Sequence, residues 1–228
     1  MPDETSRAQP PAAGVPRGPR VIGVTGGAGA GKSTFCRRMA RKPGVLVLDA
    51  DSIVHEILRE DVAARRSVVA EFGSSVLDGG GEIDRRRLAG EVFGDPERLR
   101  CLEAILHPRA KAEMARRVVN LKRRDDIAIV LAEVPLLAEA GVPTWCDFVV
   151  TVEAPAGVRV ERLVAMGVSR EEAQRRLARQ TTDARRRAVA DLVVPNGSDR
   201  GELGRMVDRL WAAWSRGRWP ERRKERQR

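Results

Sequence analysis

Gly26, Gly31, Lys32 and Ser33 stand at the spacing G-x-x-x-x-G-K-S within the run Val21 to Thr34, V-I-G-V-T-G-G-A-G-A-G-K-S-T. Residues of these types at this spacing hold phosphate. Glycines let the backbone fold round an anion with its N–H groups inward, and a helix starting behind them adds a favourable dipole. Lys32 can reach the β- and γ-phosphates of a nucleotide, and the Ser33 hydroxyl can ligate Mg²⁺. Asp49 and Asp51 add carboxylates a short way along the chain. Further on, arginines crowd the stretch from Arg159 to Arg187. Many are the wet faces of amphipathic helices, but a few are of use as a lid, because charge developing on a transferring phosphoryl group calls for positioned cations.

These side chains need elements to place them. Val21 to Val24 reads as a buried strand entering the loop, and Phe35, Met39 and Ala40 give the next helix an apolar face that Pro43-Gly44 ends. Val45 to Leu48 is a second strand. It delivers Asp49 and Asp51 to its carboxyl end, where ligands gather in open α/β sheets. Asp51 has two readings, a catalytic or metal-linked group, or a helix N-terminal acid worth at most about 1 kcal/mol. Asp61 to Arg124 reads as mostly helical, broken at Gly73, at Asp78-Gly79-Gly80-Gly81 and at Asp95-Pro96. This excursion is too long for a simple crossover and suits a substrate-covering subdomain. His107-Pro108 fits the end of one helix and the start of the next. His107 itself is either a ligand contact or a satisfied structural histidine.

Ile127 to Leu131 and Phe148 to Val152 read as the third and fourth strands, with Pro135 stopping the pairing just after Glu133. Leu163, Ala173 and Leu177 mark the buried sides of the arginine-dense helices. Leu192 to Val194 is a short last strand with Pro195-Asn196-Gly197 as its exit turn. Leu203, Met206, Val207, Leu210 and Trp211 form the apolar stripe of a final helix. Alternating strands and helices, with the glycine-rich turn after the first strand, predict a three-layer α/β fold with a parallel sheet.

The 228 residues, 42% hydrophobic, suffice for one domain with insertions. The net charge is +10, and half of that excess lies in Arg216 to Arg228, a solvated terminal tail. No tyrosine is present and aromatics are only 4%, which removes the stacking platforms of a single-strand nucleic-acid binder. Cys36, Cys101 and Cys146 form no C-x-x-C pair and suit reduced thiols. No apolar run is long enough to span a bilayer, and no signal-peptide core opens the chain. The expectation is a cytoplasmic protein, favoured as a monomer, with no membrane and no nucleic-acid partner. Residues 1–19, rich in Pro, Ala and Gly, read as a disordered leader.

Taken in order, the landmarks resemble the dephospho-CoA kinase family. The likeness runs through T-G-G-A-G-A-G-K-S-T (Thr25 to Thr34), D-A-D (Asp49 to Asp51), F-G-S-S-V-L-D (Phe72 to Asp78), I-D-R-R-R-L (Ile83 to Leu88), V-F-G-D-P (Val92 to Pro96) and L-E-A-I-L-H-P (Leu102 to Pro108). It continues through V-P-L-L (Val134 to Leu137) with Glu139, S-R-E-E-A (Ser169 to Ala173) and A-V-A-D (Ala188 to Asp191). The resemblance implies a P-loop kinase core of the nucleoside-monophosphate-kinase-like kind spanning 20–212, with a helical CoA-binding subdomain at 52–125, a lid at 156–190 and a basic tail at 213–228. It implies ATP-dependent phosphorylation of the ribose 3′-hydroxyl of dephospho-CoA, with Mg²⁺. Gly27, Ala28, Gly29, Ala30, Gly31, Lys32, Ser33, Thr34, Phe35 and Asn196 would bind ATP, and Ser33 and Asp49 the metal. Asp51 and Lys32 would be catalytic, and Asp51, His107 and Arg186 would meet the acceptor.

The sequence departs from the family in four places. Leu163 to Gly167 is one residue shorter than usual and carries no arginine before Gly167-Val168-Ser169. Asp183 stands where a second arginine is often found, Pro195 where an acid is common, and Glu133 replaces a frequent aspartate. Arg162, Arg170 and Arg179 are candidates to replace the missing lid cation. Two other readings stay open: a related kinase acting on another nucleoside or nucleotide hydroxyl, and a non-catalytic nucleotide-binding protein using its basic tail on nucleic acid.

Overall fold

Strands buried on both faces read as nearly unbroken apolar runs, and the three central strands of this chain are of that kind, while the two edge strands are only partly buried. The computed structural model describes residues 18–221 apart from 93, 136, 198 and 199, so the leader to residue 17 and the tail from 222 lie outside the described residues. β1 (Arg20–Thr25), β2 (Val45–Asp49), β3 (Ile129–Glu133), β4 (Phe148–Glu153) and β5 (Leu192–Pro195) form one parallel sheet in the order β2-β3-β1-β4-β5. The strands thus run one or two residues past their expected ends, and Pro195 closes β5 rather than following it.

The period-two alternation of side chains divides the core into two layers. Ile22, Val24, Ile129, Leu131, Val150 and Val152 face α1 (Lys32–Met39) and the final helix; Val21, Leu48, Val130 and Ala132 face the helical excursion. That excursion comprises α2 (Ala50–Glu60), α3 (Val62–Phe72), α4 (Arg85–Val92) and α5 (Pro96–Leu121), with a 3₁₀ turn at Ser74–Val76. The short α6 (Leu137–Ala140) follows β3; α7 (Ala156–Ala165), α8 (Arg170–Arg179) and α9 (Asp183–Val189) lie between β4 and β5; α10 (Arg200–Trp214) ends the regular structure. Of the stripe expected of the last helix, Leu203 and Val207 are buried against the sheet layer and Met206, Leu210 and Trp211 pack beside them partly buried, and Trp214, outside the expected stripe, is buried too. No helix among the described residues is long and apolar enough to cross a membrane.

The breaks fall where the punctuation predicts. Gly73, at φ +81°, stops α3, and Asp95 caps α5 by accepting from the Glu97 and Arg98 amides at 2.9 and 3.1 Å, with Pro96 in the first turn. Asp95→Ala is expected to cost about 1 kcal/mol. A lowered urea midpoint with unchanged denaturant slope would register it.

The expected boundary at His107-Pro108 is overturned. α5 runs unbroken through Pro108 for 26 residues. Leu106, Ala110, Met114 and Val118 recur every fourth residue on one face, and the core takes this stripe on both sides of the proline. Burying such side chains stabilises by about 1.5–3 kcal/mol each, which together outweighs roughly 3 kcal/mol for an interior proline. The Arg109 guanidinium also donates to the Ile105 carbonyl at 2.7 Å, within the same turn.

β1 lies at the centre of the sheet, and the chain leaves it first toward β2 and β3 on one side, then crosses to β4 and β5 on the other. Such a switch point opens a crevice outside the carboxyl ends of the strands. The glycine-rich loop stands at its mouth.

Candidate active site

The loop between β1 and α1 is shaped by close approaches as much as by backbone freedom. Gly31, at φ +100°, precedes α1, and a Cβ there would lie 2.2 Å from the Asn196 amide nitrogen. That nitrogen donates to the Ala30 carbonyl at 2.7 Å, so Asn196, buried just past β5, clamps the loop backbone. Arg162 completes the clamp from α7, donating to the Gly29, Ala30 and Asn196 carbonyls at 3.2, 3.3 and 2.9 Å.

Not every amide of the expected phosphate cradle is open. The Ala28 N–H donates to Gln180 Oε1 at 2.9 Å and the Ala30 N–H to the Gly27 carbonyl at 3.1 Å. Phe35 sends its ring into the core at 0% exposure and its N–H to the Gly31 carbonyl, so its side chain backs the loop from beneath. The Thr34 hydroxyl accepts from Arg37 at 3.3 Å.

Lys32 folds over the loop, its Nζ donating to the Gly26 and Gly27 carbonyls at 2.9 and 3.3 Å. Burial lowers its pKa from the ordinary lysine value, opposed by the Glu133 and Asp51 carboxylates and assisted by the Arg186 guanidinium. Asp51, Glu133 and Arg186 therefore all act on this ammonium, although they lie on α2, β3 and α9. Asp51 is exposed in the first turn of α2. The capping duty considered for that turn falls to Asp49, which accepts from the Asp51 and Ser52 amides at 3.2 Å each and from the Ser52 hydroxyl at 2.6 Å.

Ser33 Oγ donates to Glu133 Oε1 at 2.7 Å, and Glu133, 6% exposed, is the register neighbour of Asp49 across the β2–β3 pair. No three His, Cys, Asp or Glu among the described residues cluster so as to hold a metal by themselves. Mg²⁺ bound with a nucleotide keeps waters and phosphate oxygens and asks for one or two protein oxygens. The Ser33 hydroxyl and the Glu133 carboxylate meet that demand with hard donors.

The arginines sort sharply by burial. Arg170 and Arg179 are exposed, and Arg170 pairs with Glu161 at 2.8 Å. The shortened turn after α7 presents Met166 to solvent, 67% exposed. The cations that reach the loop are Arg162, one of the expected candidates, and Arg159, which was not among them. Arg159 and Arg186 are 5% and 2% exposed and share Asp183. Sequence reasoning missed Arg159 and Gln180 as partners of the loop, and Asp183 as the carboxylate that two buried arginines share. The one available signal was that Arg159 precedes Leu163 by a helical turn and so shares its buried face. His107 is half-buried midway along α5.

A parallel sheet with its phosphate loop at the switch point, a lysine over the loop, hard oxygens behind it and buried guanidiniums beside it defines a kinase of the P-loop fold. A family model described as dephospho-CoA kinase matches residues 20–202, and the chain belongs to that family. Dephospho-CoA kinase of Symbiobacterium thermophilum is 41% identical over 196 residues, covering 86% of this chain and 80% of its own. That of Frankia casuarinae is 37% identical over 191 residues, covering 84% and 82%. Among solved structures, a Thermus thermophilus protein superimposes with a TM-score of 0.68 at 34% identity over 86% of this chain and 97% of its own. Dephospho-CoA kinase from Campylobacter jejuni shares the fold, with a TM-score of 0.60 at 24% identity over 86% and 97%.

Proposed function

We propose that this chain transfers the γ-phosphoryl group of ATP to the ribose 3′-hydroxyl of dephospho-CoA, giving CoA and ADP. The observation that carries the reading is an exposed Asp51, in the first turn of α2 just past the carboxyl end of β2, whose carboxylate acts on the Lys32 ammonium of the phosphate loop, in a chain of this family.

The phosphate loop, through the amides of Gly29, Gly31 and Lys32, takes the β-phosphate. The Lys32 ammonium leaves the Gly26 and Gly27 carbonyls for the β- and γ-phosphates, and Arg186 meets an oxygen of the transferring group. Asp51 orients the 3′-hydroxyl and accepts its proton as the new P–O bond forms and the bond to the β-phosphate oxygen breaks. Because such transition states are loose, orientation counts for more than basicity. Ser33 and Asp49, together with Glu133, would hold Mg²⁺, which would offset phosphate charge. Residues 52–125 bind the acceptor, with His107 among its contacts, and 156–190 act as the lid. Asn196 and Arg162 keep the loop in shape. ATP and dephospho-CoA are the partners, and the cytoplasm is the place of action.

Purified protein with MgATP is expected to release ADP only when dephospho-CoA is added, at a rate proportional to enzyme. ATP binding without such stimulation would leave the fold and overturn the acceptor, and related ribose-bearing nucleotides would then be tried.

A further inference from the structure

Arg159 is 5% exposed although it stands in the most arginine-rich part of the chain. All three of its guanidinium nitrogens are engaged with protein. Nε donates to the Ala28 carbonyl at 3.0 Å, Nη1 to Asp183 Oδ1 at 3.2 Å and Nη2 to Gln180 Oε1 at 3.2 Å. Gln180 Oε1 also accepts the Ala28 N–H. A Cβ on Gly27 would lie 2.2 Å from Nη2, so the guanidinium rests directly on the phosphate loop. Arg159 therefore ties the loop to the segment between α8 and α9.

Asp183 carries the link onward. Its Oδ1 accepts from Arg186 Nη1 at 2.8 Å as well as from Arg159. Arg186 differs from Arg159 in one respect: its Nε is buried with no hydrogen-bond partner. A buried donor left open is costly, and on a guanidinium that acts on the Lys32 ammonium it is suited to an anionic oxygen. Two guanidiniums sharing one carboxylate also leave the group with an excess positive charge. Without Arg159, nothing ties Asp183 to the loop, and the Arg186 guanidinium that Asp183 orients is no longer held in place.

We propose that Arg159 is a positioning residue: by tying Gln180 and Asp183 to the phosphate loop through its own guanidinium, it keeps Arg186 oriented with its Nε open toward the transferring phosphoryl group. The inference rests on the kinase reading above.

Steady-state kinetics of wild type, Arg159→Gln, Asp183→Asn and the double variant test it, with melting temperatures measured alongside. Each single substitution is expected to lower kcat at least about tenfold while the KM for ATP moves less than about threefold, and the double variant is expected to be no worse than the worse single. Arg159→Lys is expected to fail as a rescue, because an ammonium cannot span Ala28, Gln180 and Asp183 together. Wild-type kcat in Arg159→Gln, or losses that simply add in the double variant, would overturn the proposal. A purely structural role would lower melting temperature and active fraction and leave the kcat of the folded enzyme unchanged. Should Arg159→Gln not fold, Asp183→Asn, at a carboxylate 40% exposed, cuts the same link and decides alone. A wild type that ignores dephospho-CoA sinks the kinase reading itself, which differs plainly from an active wild type indifferent to Arg159.

Discussion

Asp51→Asn is expected to lower kcat by about 10²- to 10⁴-fold while ATP affinity stays close to wild type. The substitution preserves size and one hydrogen-bonding oxygen, and removes the charge and the capacity to accept a proton. The fold should tolerate it, since Asp49 and not Asp51 caps α2. Asp51 is exposed at the crevice and its carboxylate acts on Lys32. The acceptor hydroxyl and the γ-phosphate would meet between these two groups. Equilibrium titration with ATP beside steady-state kinetics separates the roles. If ATP affinity fell as far as kcat, Asp51 would belong to the nucleotide and metal site, and another group would have to orient the hydroxyl.

Lys32→Ala is expected to reduce kcat/KM by at least about 10²- to 10³-fold, with ATP affinity and turnover both damaged. The difference from Asp51 follows from timing. On the proposed reading the ammonium would meet phosphate oxygens in the bound nucleotide and again in the transition state, whereas the aspartate would act chiefly on the acceptor. In this structure the ammonium is held by the Gly26 and Gly27 carbonyls, so the nucleotide has only to draw it a short way from a prepared position. Its removal also leaves Glu133 buried without the cation that faces it. Titration of the variant with ATP checks this directly. Unchanged affinity with lost turnover would confine Lys32 to the transition state.

Where function was legible in sequence, the signal was short-range. From Gly26 to Ser33 the loop, its lysine and its hydroxyl are consecutive, and a strand before and a helix after confirm them. Asp49 and Asp51 follow a strand directly, so their place at the sheet's carboxyl edge needed only the rule that ligands gather there. Gly73 and Asp95-Pro96 likewise speak for themselves, because φ > 0 and helix capping are local demands. Pro108 misled for the opposite reason. Its local preference was to end a helix, and a core stripe four residues apart on either side overrode it.

The sequence by itself determined the strand–loop–helix that grips phosphate, the apolar runs that build a parallel sheet, and the family to which the chain is similar. Only the tertiary structure decided which of many arginines serve the loop. Arg159 lies 131 residues from Ala28 and 24 from Asp183, and Ser33 lies 100 from Glu133. Nothing in the spacing of such residues distinguishes a solvated guanidinium from one buried against a phosphate loop. The physical reason is that burial of a charge costs free energy unless partners arrive from elsewhere in the fold, and which partners arrive is settled by the order of strands β2-β3-β1-β4-β5 and not by any local run of residues.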